Sequence, residues 1–337
     1  MTTTGGDATD AAPRPSRARR AMRVLSFIAL AGVAVPVACR LVGWEAGPLA
    51  IVLALMPWVT LAAAVPLILA ALSRAWWLVG ASAGIAALCV SWVVPLYIAE
   101  SAPSAGGELT VASINMTFGR ADADAVVRLV DSGDVDVLSA QEVTPEIVEA
   151  LVDAGLEELL PYSEVAAEPG VTGTGMWSRS PLSDAESLEG FTGPTSRDGY
   201  ASRAVRASID VAGEAVTVLA VHPAAPGLFD HTGWDASMTS LVDHLDEHSG
   251  PIMVVGDFNT TRDHRAFRDI ESLGYVDAAD QAGAGFAPTF PEGRGLFAVA
   301  AIDHALVRDA PLTAVEVRTE PVHGADHRAL VVTYVAP

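Results

Sequence analysis

The stretch 252-IMVVGDFNTT-261 sets four apolar residues and a glycine ahead of an acid, an aromatic and an amide. A short apolar run bounded in this way reads as a buried strand. It ends in Asp257 and Asn259, two residues apart, and so delivers two polar side chains to one rim. The pattern recurs. The strands 109-LTVASIN-115, 135-VDVLSAQE-142 and 215-AVTVLAVH-222 end in Asn115, Glu142 and His222, and 301-AIDHALV-307 carries Asp303 and His304. Further strands are expected at 174–178, at 203–211 (joined to 215–222 by the hairpin 212-AGE-214) and at 328–335. Helical spacing marks 122–132, 144–155, 234–248 and 263–272; Thr144 is a capping residue, Pro145 fits a first turn and Gly155 a helix end. This is an α/β domain, and ligand sites in such domains favour strand ends and the loops beyond them.

The residues before that domain have another character. Residues 24–39, 46–73 and 75–99 carry no charge, and a helix needs about 20 apolar residues to cross a bilayer. The sequence therefore predicts a basic cytoplasmic tail (1–23), three transmembrane helices (24–99), a small-residue linker (100–107) and a folded domain (108–337). Arg14, Arg17, Arg19, Arg20 and Arg23 precede the first span and Arg74 follows the second. By the positive-inside rule the N-terminus is cytoplasmic, and three crossings make a multi-pass cell-membrane protein with an extracytoplasmic domain. Arg40, in the other loop, dissents.

Charge divides the chain at the same place. The first 99 residues hold seven arginines against Asp7, Asp10 and Glu45, a balance of +4, so the remainder carries −25 of a net −21. So acidic a surface repels polyanions unless a metal or local arginines compensate, and Arg179, Arg203, Arg262 and Arg294 are the candidates. The chain has no lysine, which excludes Schiff-base chemistry. Cys39 and Cys89 both fall in the apolar region, so the domain has no thiolate zinc site, disulfide or cysteine nucleophile.

Carboxylates, amides and histidines at strand ends suit a hard divalent cation that keeps water or phosphate oxygens. Such an ion polarises a phosphoryl oxygen, a carboxylate such as Asp257 orients or deprotonates water, and a protonated histidine neutralises the transition state. In order, 111-VASIN-115, 136-DVLSAQE-142, 174-TGMWSRSPL-182, 221-VHPAAP-226, 256-GDFN-259, 302-IDHALV-307 and 325-ADHRAL-330 resemble the endonuclease/exonuclease/phosphatase family over residues 108–337. That superfamily embraces deoxyribonuclease-I-like nucleases, abasic-site endonucleases, inositol-polyphosphate phosphatases and neutral sphingomyelinases. The resemblance implies a four-layered sandwich of two mixed β-sheets flanked by helices, and Mg²⁺ (with Mn²⁺ as an alternative) as cofactor. It implies Glu142 as principal metal ligand, with Asn115 at the metal end of the first strand and Asp326 beside the metal or a second one. It further implies that His222 contacts phosphate and Asn259 holds it. Asp257 would orient or activate water, or assist the leaving group, and Asp303 would keep His327 protonated to stabilise the transition state. A Leu common before the Gln-Glu pair is replaced here by Ser139-Ala140, and no acidic partner for His222 is evident.

The implied function is a membrane-anchored hydrolase of phosphodiesters or phosphomonoesters, its partners the lipid bilayer and a nucleic-acid or lipid-headgroup substrate, with no obligate protein partner evident. The rival is a non-catalytic receptor or scaffold whose outer domain only binds. Asp257 and Asn259 could form an Asx turn capping the next helix, although Thr260 or Thr261 could supply that cap. The run 244-HLDEH-248 matches an inverted zinc-peptidase pattern, but Leu241 and Leu245 make it the solvated face of an ordinary helix. The loop 170-GVTGTG-175 lacks dinucleotide-binding spacing and reads as a mobile turn, and the role of His304 stays open.

Overall fold

A computed structural model describes residues 16–101, 106–189, 191, 202–293, 295 and 297–336. Arg14, Arg294 and half of the expected linker (102–105) lie outside the described residues. The chain divides into two units, Met1–Val37 with Trp58–Val90, and Ala38–Pro57 with Ser91–Pro337.

Among the described residues two helices, not the expected three, are long and apolar enough to cross a membrane: α1 (Arg17–Val42), and a later one that is continued to Tyr97 by a 3-10 turn. The middle run instead breaks into α2 (Leu49–Ala54), α3 (Met56–Ala62) and α4 (Ala64–Leu72), and the later long helix is α5 (Trp76–Val93). Pro57 and Pro66 stand in the first turns of α3 and α4, where a ring without N–H cannot close the bond to the preceding turn. Arg17, Arg19, Arg20 and Arg23, expected in a tail, already ride on α1. In the first unit, Ser26 donates to the Pro66 carbonyl at 2.8 Å and Arg23 to that of Ser73 at 3.3 Å.

The second unit carries the sheets. Its first half runs β1 (Glu108–Asn115), α6 (Ala123–Ser132), β2 (Val137–Gln141), α7 (Pro145–Asp153), α8 (Leu156–Leu159), β3 (Tyr162–Ala166) and β4 (Thr174–Ser178). The second half runs β5 (Ser183–Glu189), β6 (Arg203–Val211), β7 (Glu214–Val221), α9 (Thr232–Glu247), β8 (Ile252–Asp257) and α10 (Arg265–Ser272). It closes with β9 (Val276–Asp277), α11 (Ala278–Gln281), β10 (Asp303–Arg308), β11 (Thr313–Pro321) and β12 (Arg328–Val335). Thr144 caps α7 as expected, accepting from the Ile147 amide. Neither Thr260 nor Thr261 caps α10; His264 stands at that position.

Two six-stranded sheets result, in orders β11-β12-β1-β2-β4-β3 and β5-β6-β7-β8-β10-β9. Alternation along each central strand buries both faces. In β8, Met253 and Val255 face the core between the sheets, while Ile252 and Val254 face α9 and α10. In β12, Leu330 and Val332 enter the shared core, while Ala329 and Val331 meet the helices of the other flank, α6 and α7. The expected four-layered sandwich of helix, sheet, sheet and helix follows.

One parallel pair lies inside each sheet: β1 with β2, and β7 with β8. Their carboxyl ends carry Asn115, Glu142, His222 and Asp257. Strands β10 and β12 run antiparallel to β8 and β1, so they begin where those end. Asp303 therefore opens β10 directly opposite Asp257, and His327 precedes β12. Strand direction alone thus gathers side chains from positions 115 to 327. Gly256 is required here, since a Cβ would lie 2.0 Å from the Val221 carbonyl oxygen on the neighbouring strand.

Candidate active site

Asn115 is the hinge between the sheets. Its Nδ2 donates to Glu142 Oε1 at 3.1 Å and to Asp257 Oδ2 at 3.0 Å, while its Oδ1 accepts from the Thr117 amide at 2.8 Å. One carboxylate from each sheet therefore converges on one point. Glu142, just past β2, has φ +56°, a left-handed conformation that costs free energy in a non-glycine residue. The turn aims its carboxylate back at β1, where Oε2 accepts from the Phe118 amide at 2.6 Å.

Asp257 is fully buried. Its Oδ1 accepts from the Asn259 amide at 2.8 Å, and its Oδ2 faces His222 Nε2 at 3.5 Å and His327 Nε2 at 3.7 Å. Burial alone would raise its pKa; His327, His222 and Asn115 outweigh that and hold it at about 2. The two histidines are oriented from behind by different acceptors. His327 Nδ1–H donates to Asp303 Oδ2 at 2.9 Å, as expected. His222 Nδ1–H donates to the Val171 carbonyl at 3.1 Å, so the partner missing from the sequence is a main-chain oxygen in the loop taken for a mobile turn. Burial disfavours charge on both rings, but facing carboxylates outweigh it: His222 is raised by Asp257 and Glu142, and His327 by Asp303 and Asp257 to about 10. His327 is thus an imidazolium at neutral pH.

Asn259 also stands at a left-handed position, φ +49°. Its Nδ2 donates to the Pro223 carbonyl at 3.0 Å, and its own carbonyl accepts from Trp234 Nε1 at 3.1 Å. The Asx turn weighed as a bland alternative does form at Asp257, but it feeds the site and caps no helix. Asp326 is held by the turn that follows β1. The Thr117 hydroxyl donates to its Oδ1 at 2.6 Å and accepts from its amide at 2.9 Å, tying it to the turn beyond Asn115.

Asp257, Asp303 and His327 offer three ligand atoms within 4.8 Å of one another, the sole such grouping found among the described residues. It differs from the expected set of Glu142, Asn115 and Asp326. An ion between Asp257, Asp303 and His327 would have to displace the His327 proton that both carboxylates favour. The donor set at Glu142, a half-exposed carboxylate beside a carboxamide and across from Asp257, fits a hard divalent ion. His244, Glu247 and His248 form no ligand cluster among the described residues, so the zinc-peptidase pattern lapses.

His304 acquires a role that the sequence left open. It is buried, with Nδ1 on Asp277 Oδ2 at 2.6 Å and Nε2 on the Thr260 carbonyl at 3.0 Å. Burial opposes its charge, but Asp277 raises its pKa. A second histidine–aspartate pair therefore stands behind the loop that follows Asp257. The three candidate phosphate-binding arginines among the described residues pair with acids elsewhere. Arg179 pairs with Asp134 and Asp136, Arg203 with Glu168 and Glu189, and Arg262 with Asp280 and Glu271.

A fold of two packed mixed sheets, with buried acids and histidines at facing strand ends, defines a class of phosphoester hydrolase. Residues 112–327 match the model of the "Endonuclease/Exonuclease/phosphatase family", and the chain belongs to that family of metal-dependent hydrolases acting on phosphoester bonds. Solved structures agree in fold. Zebrafish (D. rerio) TDP2 complexed with a single-strand DNA product is 16% identical over 68% of this chain and 99% of that one, with TM-score 0.55. An AP endonuclease from Archaeoglobus fulgidus is 18% identical over 66% and 98%, with TM-score 0.53. An endonuclease/exonuclease/phosphatase from Beutenbergia cavernae is 16% identical over 68% and 72%, with TM-score 0.52. No curated protein matches the chain.

Proposed function

We propose that this protein is a membrane-anchored, Mg²⁺-dependent phosphoesterase whose catalytic domain lies outside the cytoplasm. The observation that carries this reading is the convergence of Glu142 and Asp257, from different sheets, on Asn115, with His327 cationic beside them. Glu142, with Asp326, would hold the ion, which when bound supplies Lewis-acid polarisation of the phosphoryl oxygen, while Asn115, whose Nδ2 faces both carboxylates and whose Oδ1 takes the Thr117 amide, orients Glu142 rather than ligating. Asp257, ionised and fixed by the Asn259 amide and Asn115, accepts a proton from the attacking water. His327, kept charged by Asp303, and His222 face the charge that grows on the phosphoryl oxygens, and Asn259 orients the ester. The paired arginines and the acidity of the domain favour a small organophosphate or lipid-headgroup ester over a polynucleotide.

Anchoring rests on α1 and α5. With the arginines of the first turns of α1 in the cytoplasm, the last turn of α1 lies on the far face. There Arg40 pairs with Asp263 of the catalytic domain. That contact supports an extracytoplasmic domain, which a chain entering on α1 and crossing again on α5 reaches only if the shorter apolar run Met56–Leu72 between them also returns through the bilayer.

The test is turnover by the full chain in detergent or lipid discs of bis-p-nitrophenyl phosphate, phospholipids and plasmid DNA, each with Mg²⁺ or EDTA. EDTA-sensitive turnover, best on phospholipid or the small diester, is expected. Preference for plasmid would move the substrate to nucleic acid. No turnover from the folded chain on any of them would leave the binding-module reading.

A further inference from the structure

Residues 38–57 belong to the same unit as the catalytic domain. Their contacts fall on the loop that leaves Asn259. His264 is buried and its tautomer is fixed. The Thr261 amide donates to Nδ1 at 2.9 Å, so the proton sits on Nε2, which lies 2.8 Å from the Ala50 carbonyl. Trp234 packs edge-on against the His264 ring, 5.2 Å between centroids, and its Nε1–H donates to the Asn259 carbonyl. A chain of directed contacts thus runs from Ala50 to the residue assigned to the phosphate.

A second connection is ionic. Arg40 Nε meets Asp263 Oδ1 at 2.6 Å, with the side chains only 11% and 8% exposed. The guanidinium stacks 3.9 Å from the Trp92 ring, and Arg268 Nη2 donates to the Arg40 carbonyl at 2.9 Å. Glu45 accepts from the amide of Arg265, the first residue of α10. A planar cation ordered by an acid and an aromatic face is a pre-organised contact, unlike a solvated surface pair.

We propose that the segment 38–57 is a positioning element of the active site, with Arg40 and His264 as its principal residues: docked on residues 261–268, it fixes the loop that carries Asn259 and, through the Asn259 amide, Asp257. This rests on the phosphoesterase reading for its activity readout, but the docking itself does not. The catalytic domain is then complete only together with the chain that precedes it, and hydrolysis is coupled to the membrane-proximal segment.

The experiment compares full-length Arg40→Ala, Arg40→Lys and Asp263→Asn with wild type in lipid discs, on bis-p-nitrophenyl phosphate with saturating Mg²⁺. Misplacing reacting groups by about 1 Å costs on the order of 100-fold in rate, so kcat should fall roughly 10- to 100-fold in Arg40→Ala with KM nearly unchanged. Arg40→Lys, which keeps the charge and spares the fold, should recover part of that loss. Arg318→Ala, which breaks the pair with Glu320 on β11, is the control and should leave kcat unchanged. Amide hydrogen exchange should rise over 259–268 in Arg40→Ala and Asp263→Asn. Wild-type kcat together with unchanged exchange in Arg40→Ala and Asp263→Asn would overturn the proposal. If the wild-type chain itself turns over nothing, the phosphoesterase reading fails, and the exchange pattern alone still decides whether the segment holds the loop.

Discussion

The two parallel strand pairs use one topological device for opposite ends. At β1–β2, Glu142 is half-exposed and held by a main-chain N–H and by Asn115. At β7–β8, Asp257 and His222 are buried and face one another and His327. Solvent access lets the first rim exchange ligands with a cation. Its exclusion from the second strengthens every charge there and sets which groups carry protons. On the proposed reading, one site separates ion-holding from proton-handling by burial, using carboxylates at both rims.

That contrast can be broken from either side. The largest effect is expected from Asp257→Asn, which keeps the shape but removes the proton acceptor: kcat should fall on the order of 10³-fold and not recover with added Mg²⁺. Steady-state kinetics across a Mg²⁺ titration check this. Glu142→Ala should cost about 100-fold at low Mg²⁺ and regain activity as Mg²⁺ rises, because it weakens a ligand that water can replace in part. Equal behaviour of the two variants in that titration would erase the distinction between the rims.

Asp303→Asn sharpens the comparison through pH. His327 is raised from 6.5 to about 10, so its contribution to stability is fully present below pH 6.5 and is lost as pH rises towards 10. Activity that depends on the imidazolium should follow the same alkaline limb. Removing Asp303 leaves Asp257 as the facing carboxylate, so the limb should move down, costing roughly 10-fold at pH 9 and little at pH 6. A pH–rate profile and thermal unfolding across pH 6–10 read it. Asp257, held at about 2, sets the other boundary: its contribution is present above its ordinary 3.8 and lost as pH falls through 2.

Much of the fold was legible because its central strands are buried on both faces and therefore read as apolar runs. The strands that escaped lie at sheet edges or beside them. Strand β5, 183-SDAESLE-189, is exposed along nearly its whole length and offers no alternation to read, and β3 and β11 are only half-buried. The site residues were legible through the resemblance and through their place at strand ends. Their supports were not, since Val171 acts through a carbonyl and His304, Trp234 and Thr117 act from behind. Arg40 was visible only as a charge on the wrong side of a charge rule. Its partner Asp263 is 223 residues away, a distance that no local pattern spans.

On the proposed anchoring to a membrane, the β5 edge has a further consequence. Tethered copies of one chain meet at far higher local concentration than the same copies in solution, and an open sheet edge is a template for strand addition between them. Here that edge presents Asp184, Glu186 and Glu189, and its register shifts between Ser183 and Glu186. Glu186 and Glu189 are tied to Arg206 and Arg203 of β6, so the shift, which misaligns the main-chain groups of two approaching edges, is the stronger guard. Crowding in a bilayer should therefore leave neighbouring molecules apart at this edge, free to turn over substrate one by one.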